Sequence, residues 1–203
     1  MYLFGSSGHC KVIIDIIIKS NLEIIEGVFD DNPSRDEIYK IPVFKTHNLD
    51  FFNNKSLIIS IGDNKSRKKI ANRITTNFLT AIHPNAVLAR NVVVGEGTVV
   101  MAGAFLSTDV IVGKHCIINT ASVVEHDCVL SDFVHISPNA SLAGNVMVGE
   151  GSQVGIGAIV IQGVKIGSWV TIGAGAVIIE DVPDHAVIVG NPGKIIKFNN
   201  QNE

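Results

Sequence analysis

Long apolar runs, basic blocks and paired cysteines are missing from this chain, and aromatic residues make up only 6% of it. Val12 to Ile18, the longest apolar stretch near the N-terminus, is interrupted by Asp15 and is too short to span a bilayer. The opening Met-Tyr-Leu-Phe-Gly has neither the basic region nor the small-residue cleavage site of a signal peptide. A soluble, cytoplasmic protein without membrane insertion is therefore expected. Net charge is −3, and no Lys/Arg block could follow a phosphate backbone, which argues against a nucleic-acid partner. Cys10, Cys116 and Cys128 are odd in number and lack CxxC spacing, so they read as reduced core thiols rather than metal ligands.

What the chain does have is aliphatic residues in a fixed phase. Stepping by six from Ile82 to Ile178 meets only Leu, Ile or Val, seventeen times without a miss. The position four residues further on, from Ala86 to Val182, is always small or β-branched. One large and one small inward residue per six suits a short strand plus a corner. Three such sides close a coil of 18 residues, and coils stack as parallel strands roughly 4.8 Å apart. Seventeen sides give about 5.7 coils and a prism about 27 Å long at that spacing. The reading is a parallel β-helix whose corners turn at Gly and Asn, with Gly95, Gly113, Gly149, Gly155, Gly167 and Gly173 permitting the bends. The phase never slips, so no loop leaves the prism, and a site must be built from faces, corners or a second subunit.

The first 80 residues lack this period. They predict a strand at Tyr2–Phe4, a Gly5-Ser6-Ser7-Gly8-His9 turn and a helix over Lys11–Ser20, whose Lys11, Asp15 and Lys19 form one polar stripe. Strands over Glu23–Phe29 and Ser56–Ile61 follow, then a basic helix over Lys65–Ile74. This is half of a doubly wound, Rossmann-like α/β fold, with its ligand crevice at the carboxyl ends of the strands. Gly5–His9, Asp30-Asp31 and Gly62–Asn64 sit there. The turn is G-x-x-G rather than G-x-G-x-x-G, which disfavours a dinucleotide. The expected division is 1–80, 81–183 and a tail, 184–203.

The combination resembles the hexapeptide-repeat, left-handed β-helix acyltransferases. Within them it resembles the bacterial nucleotide-sugar acetyltransferases, which N-acetylate UDP-4-amino-4,6-dideoxy sugars, and the related sialic acid O-acetyltransferases. The resemblance rests on Gly5–His9, Asp30-Asp31, Ile61–Asn64 with Arg67-Lys68-Lys69, and Asn119–Cys128. Phe133–Ser137, Ala143–Val146 and Val189–Lys194 complete it. It implies left-handedness, a homotrimer with sites between subunits, and acetyl-CoA and a UDP-amino sugar as substrates. It implies His126 as the general base and Asp127 as the acid that orients it, where some members have Glu. It places Asn119, His135, Gly144, Ile156 and Gly173 at or near acetyl-CoA, with the Gly144 N–H as oxyanion donor. Ser7, Gly8, His9, Asp30 and Asp31 match the nucleotide-sugar site, to which the strand-end residues Gly62 and Asn64 are added. Lys194 is a candidate for CoA phosphates, and Cys10 stands where relatives often have Gly.

The repeat bears on this independently. His126 and Gly144 share the third position of their hexapeptides one coil apart, which removes a side chain above the imidazole and leaves room for an acyl group; Thr108 lies one coil below. A thioester is already activated, so no Ser or Cys nucleophile is needed. His83, His115 and His185 read as surface or subunit-contact residues. The zinc β-helix alternative needs a His pair five residues apart, but the gaps here are eleven (His115 to His126) and nine (His126 to His135), so no metal is expected. A hydroxyl acceptor, as in O-acetylation of sialic acid or another sugar, keeps the same chemistry. Mixed outward positions argue against a non-enzymatic ice-binding or assembly module.

Overall fold

A computed structural model describes residues 1–199 as two compact units that divide after Pro84. In the first unit, strands β1 (Tyr2–Phe4), β2 (Gly27–Asp30), β3 (Glu37–Ile38), β4 (Ile41–Lys45), β5 (Ser56–Ile59) and β6 (Asn77–Phe78) form one sheet in the order β3-β4-β2-β1-β5-β6. Only the β3–β4 pair is antiparallel. Helix α1 (Gly8–Ser20) starts at the turn, three residues earlier than its polar stripe predicts, and buries Cys10, Ile13, Ile14, Ile16 and Ile17. Phe4, Phe52, Leu57, Ile59, Ile70 and Ile74 form a core cluster, against which Phe29 packs.

Two predicted strands are shorter than expected, for one reason. β1 is the central template and is three residues long. It pairs from Tyr2↔Gly27 and Tyr2↔Leu57 to Phe4↔Phe29 and Phe4↔Ile59. Glu23–Glu26, Ser60 and Ile61 have no paired residue of β1 opposite them and stay outside the strands despite their β-branched content, although the Met1 amino group donates to Ile24 O and Met1 O accepts from the Glu26 N–H. Helix α2 (Asn64–Ala71) begins under an Asp63 cap, whose carboxylate accepts from the Ser66 N–H at 2.8 Å, and ends three residues before the predicted limit.

The second unit is the predicted left-handed parallel β-helix. Its first face carries Val99–Val100, Ile117–Ile118, His135–Ile136, Gln153–Val154 and Thr171–Ile172. The second carries Val87–Leu88, Phe105–Leu106, Val123–Val124, Ser141–Leu142, Ile159–Val160 and Val177–Ile178. The third carries Val93–Val94, Ile111–Val112, Val129–Leu130, Met147–Val148 and Lys165–Ile166. From Val100 to Ile178 every large inward residue is buried, as are the small ones from Thr98 to Val182. Polar small residues inside are satisfied locally. The Thr98 hydroxyl donates to Gly113 O and accepts from the Cys116 N–H, both at 2.9 Å, and Ser152 does the same three coils later with Gly167 O and the Val170 N–H. Cys116 and Cys128 are buried thiols outside any disulfide, directed at the Ser131 and Ala143 carbonyls.

Three expectations change. The six corner glycines do not supply the left-handed turns. A Cβ on Gly149 would sit 2.5 Å from Gly167 C, and one on Gly95 2.6 Å from Gly113 C, so close approach of successive coils requires them. The positive φ falls elsewhere, on residues such as Asn91, Asp109, Asp127, Asn139 and Asn145. His83 and His115 are buried rather than superficial, and His115 stacks on Phe133 with ring centroids 5.2 Å apart. The tail is structured as far as it is described: Ala186–Val189 extends the first face, and Lys194–Phe198 returns antiparallel to it. Residues 200–203 lie outside the described residues. No helix among those described is long and apolar enough to cross a membrane.

Leu142 is 1% exposed at the middle of the stack. Leu142→Ala is expected to cost about 2–5 kcal/mol through lost transfer energy and a cavity, measured by urea denaturation.

Candidate active site

The stretch Val123-Val124-Glu125-His126-Asp127-Cys128 keeps the repeat. Val124 and Cys128 point inward, and Glu125, His126 and Asp127 occupy the corner between the second and third faces. The backbone there is held from both neighbouring coils. The Asp127 N–H donates to Thr108 O at 3.2 Å, and the Asn145 N–H donates to His126 O at 2.8 Å. Asp127 adopts φ +60°, a left-handed conformation that Asp tolerates better than longer side chains do. In it, the short carboxylate reaches back to its neighbour: Oδ2 lies 2.8 Å from His126 Nδ1. Asp is therefore long enough to orient the imidazole.

Both side chains of the pair are 61% exposed. The hydrogen bond from Asp127 raises the His126 pKa above its ordinary 6.5; desolvation opposes this, and the charges of Asp127 and Glu125 reinforce it. With Nδ1 committed to the carboxylate, Nε2 is the atom left to exchange a proton. The expectation of room above the ring is corrected. The imidazole itself fills the space over Gly144, where a Cβ would lie 2.6 Å from both Nε2 and Cε1.

The other solenoid residues sit at a different corner. Asn119, Ile156 and Gly173 lie where the first face turns into the second, and His135 lies on the first face. Asn119 Nδ2 donates to His135 Nε2 at 3.0 Å, so the His135 proton sits on Nδ1 in the neutral ring. Ile156 is exposed, and Gly173 packs under Val189, which a Cβ would meet at 2.7 Å. Lys194 is exposed on the returning strand. One copy of the prism thus brings Asn119 and His135 together and leaves them a full face away from His126. Among the described residues, no three His, Cys, Asp or Glu side chains gather so as to hold a metal ion.

The first unit contains a cavity of about 380 Å³ at the carboxyl ends of β1 and β2, lined by Gly5, Ser6, Ser7, Asp30 and Asp31 on one side and by Ser66, Lys69 and Arg73 on the other. Ser7 caps α1 in extended backbone without a side-chain bond, so its hydroxyl and the first N–H groups of the helix remain available. Asp30 is committed inward: Oδ2 accepts from the Ser6 N–H and hydroxyl, both at 2.7 Å, and Oδ1 from the Asn32 N–H at 2.9 Å. Burial alone would raise its pKa, but these bonds hold it below the ordinary 3.8. Asp31 is exposed at the cavity wall.

Gly8 does not line this cavity, and neither do His9, Gly62 and Asn64. The last three surround Arg67, which is 1% exposed and donates to Ile61 O and Gly62 O at 3.0 Å and to Asn64 Oδ1 at 2.7 Å. Burial, with the Arg67 charge adding to it, pushes the His9 pKa down to about 4. Gly8 opens α1 with clear space beside it. Lys69 and Arg73 are site residues that sequence reasoning missed. Their spacing with Ser66 and Ile70, at three and four residues, was the available signal, since it places Lys69 on one side of α2 and Arg73 below it in the turn that follows the helix.

Known proteins resemble the chain along its length. Residues 1–74 match the PglD N-terminal domain family, and residues 145–180 match the bacterial transferase hexapeptide (six repeats) family. A crystal structure of a mutant of GDP-perosamine N-acetyltransferase from Caulobacter crescentus, in complex with CoA and GDP-perosamine, superposes with a TM-score of 0.91 at 36% identity, covering 97% of this chain and 96% of that one. The chain belongs to the hexapeptide-repeat nucleotide-sugar N-acetyltransferase family. The acetyltransferase domain of PglB from Neisseria gonorrhoeae, in complex with acetyl coenzyme A, is 33% identical over 96% of this chain and 98% of that one, with a TM-score of 0.86. UDP-N-acetylbacillosamine N-acetyltransferase from Bacillus subtilis is 40% identical over 108 residues, 49% of this chain and 50% of that enzyme. The matches to curated relatives thus span half or less of those proteins' length.

Arg67→Met is expected to remove the guanidinium from one buried acceptor, Asn64 Oδ1, at about 1–3 kcal/mol before relaxation, and from two part-buried carbonyls at less. A lowered thermal midpoint would register it.

Proposed function

We propose that this chain transfers the acetyl group of acetyl-CoA to the amino group of a UDP-linked 4-amino-4,6-dideoxy sugar, with His126 as general base. The observation that carries this reading is the His126–Asp127 pair at 2.8 Å on an exposed corner, with the bond made through Nδ1 and not through Nε2. The neutral sugar amine attacks the thioester carbonyl, and Nε2 takes the proton released as the C–N bond forms. Asp127 steadies the resulting imidazolium. The Gly144 N–H, which takes no part in the bonds between coils, donates to the oxyanion of the tetrahedral intermediate. When the C–S bond breaks, the thiolate leaves and His126 returns the proton to it.

In the first unit, Asp31 suits the ribose hydroxyls, and Lys69 and Arg73 suit the diphosphate across the cavity. Asn119, His135, Ile156, Gly173 and Lys194 are assigned to acetyl-CoA. The groups of that site fit it in kind, with a polar Asn–His pair, an exposed apolar side chain and a cation. Because these residues lie at another corner from His126, a homotrimer completes the site by apposing one copy's corner to its neighbour's. Exposed Val93, Ile111 and Met147 on the third face, with Val87 and Ile159 on the second, offer apolar surface for that contact.

The direct test is thiol release from acetyl-CoA with a panel of UDP- and GDP-linked amino sugars and sialic acids. Turnover with amines and a loss of about 10²–10⁴ in kcat for His126→Ala are expected. Undiminished activity in that variant would overturn the base, and turnover with hydroxyl acceptors alone would establish O-acetylation instead. A base works in its neutral form, so kcat/KM is expected to rise with pH through a pKa above 6.5; Asp127→Asn should lower that pKa and kcat together. Lys69→Ala and Arg73→Ala should raise KM for the nucleotide sugar and leave KM for acetyl-CoA unchanged in steady-state assays.

A further inference from the structure

We propose that Gly144 is a positioning residue whose missing side chain lets the His126 imidazole lie against the next coil and meet Asp127. The inference rests on the reading of His126 as the base, and it adds a steric role to the one given to the Gly144 N–H. Three observations carry it. A Cβ on Gly144 would lie 2.6 Å from Cε1, 2.6 Å from Nε2 and 3.2 Å from Nδ1, so the whole edge of the ring rests where that atom would be. The backbone angles do not demand glycine here, because Gly144 is absent from the positive-φ positions, and the three atoms its Cβ would meet first all belong to the His126 ring rather than to the backbone of a neighbouring coil. The same corner position in the other coils holds Arg90, Thr108, His126, Gln162 and Glu180, so the repeat does not demand glycine either.

The comparison within the chain sharpens this. Gly97 lies against the His115 ring and Gly151 against the Trp169 ring, yet both have positive φ and would be glycine on conformational grounds alone. At Gly144 the ring is the remaining reason. His126 is well exposed, so little else packs it. The hydrogen bond to Asp127 fixes one nitrogen, and the flat surface of Gly144 limits rotation about the side-chain bonds. An alanine would force the ring outward, stretch the bond to Asp127 and move Nε2 from its working position, while keeping the Gly144 N–H intact.

The test is Gly144→Ala, in wild-type and His126→Ala backgrounds, as the full chain. The His126 pKa is read by NMR titration, apart from activity. In Gly144→Ala it is expected to fall back toward the ordinary 6.5, with kcat reduced about tenfold or more and KM for acetyl-CoA little changed. Thermal unfolding is expected to show a lower midpoint for Gly144→Ala when His126 is present and none of that loss in the His126→Ala background. An unchanged His126 pKa, or an equal loss of stability in both backgrounds, overturns the proposal. A fallen pKa with unchanged kcat supports the seating of the ring and overturns the separate reading of His126 as the base. Should Gly144→Ala alone fold poorly, folding of the double variant at the His126→Ala midpoint still reports the clash.

Discussion

The rest of the second unit depends on the backbone ladder between coils. Each strand of two residues donates to the coil after it, as when the Val123 N–H meets Ala140 O at 2.9 Å and the Glu125 N–H meets Leu142 O at 3.0 Å. A parallel ladder at that spacing forces like positions to stack, so an inward residue is packed by the same kind of residue above and below. It also fixes the corners: the carbonyl of His126 is bound from one side and the N–H of Asp127 from the other. The proposed dyad therefore inherits the precision of the ladder without a loop or a helix to carry it.

Much of this was legible in advance because a stacked repeat writes its geometry into the period. The unbroken run from Ile82 to Ile178 could hardly mean anything else, and the phase alone put Val124 and Cys128 inside and His126 outside. The reasons behind particular residues were harder to read. Gly149 looks like a turn residue in one dimension, and only the 2.5 Å approach of the next coil shows that it is a spacer. His115 looks superficial until Phe133 is placed on it. The structured return of Lys194–Phe198 has no period to betray it.

The first unit shows the opposite balance. Its strand-turn-helix order was visible, but strand limits depend on the three residues of β1, and propensity does not record what lies opposite a segment. Site residues were separable only in three dimensions. Asp30 and Asp31 are neighbours in sequence, yet one is spent on Ser6 and Asn32 and the other faces the cavity. Gly62 and Asn64 serve the buried Arg67, whose role nothing in a basic run announces.

The unslipping phase also limits how such a protein can change. A single inserted residue anywhere in the coils would turn every later side chain to the wrong face, so length can vary only by whole coils or by expelled bulges. New acceptor preferences must then arise by exchanging side chains at corners, or in the first unit, whose loops are under no such register. The solenoid acts as a fixed ruler, and the lineage has room to vary only what is marked on its edges.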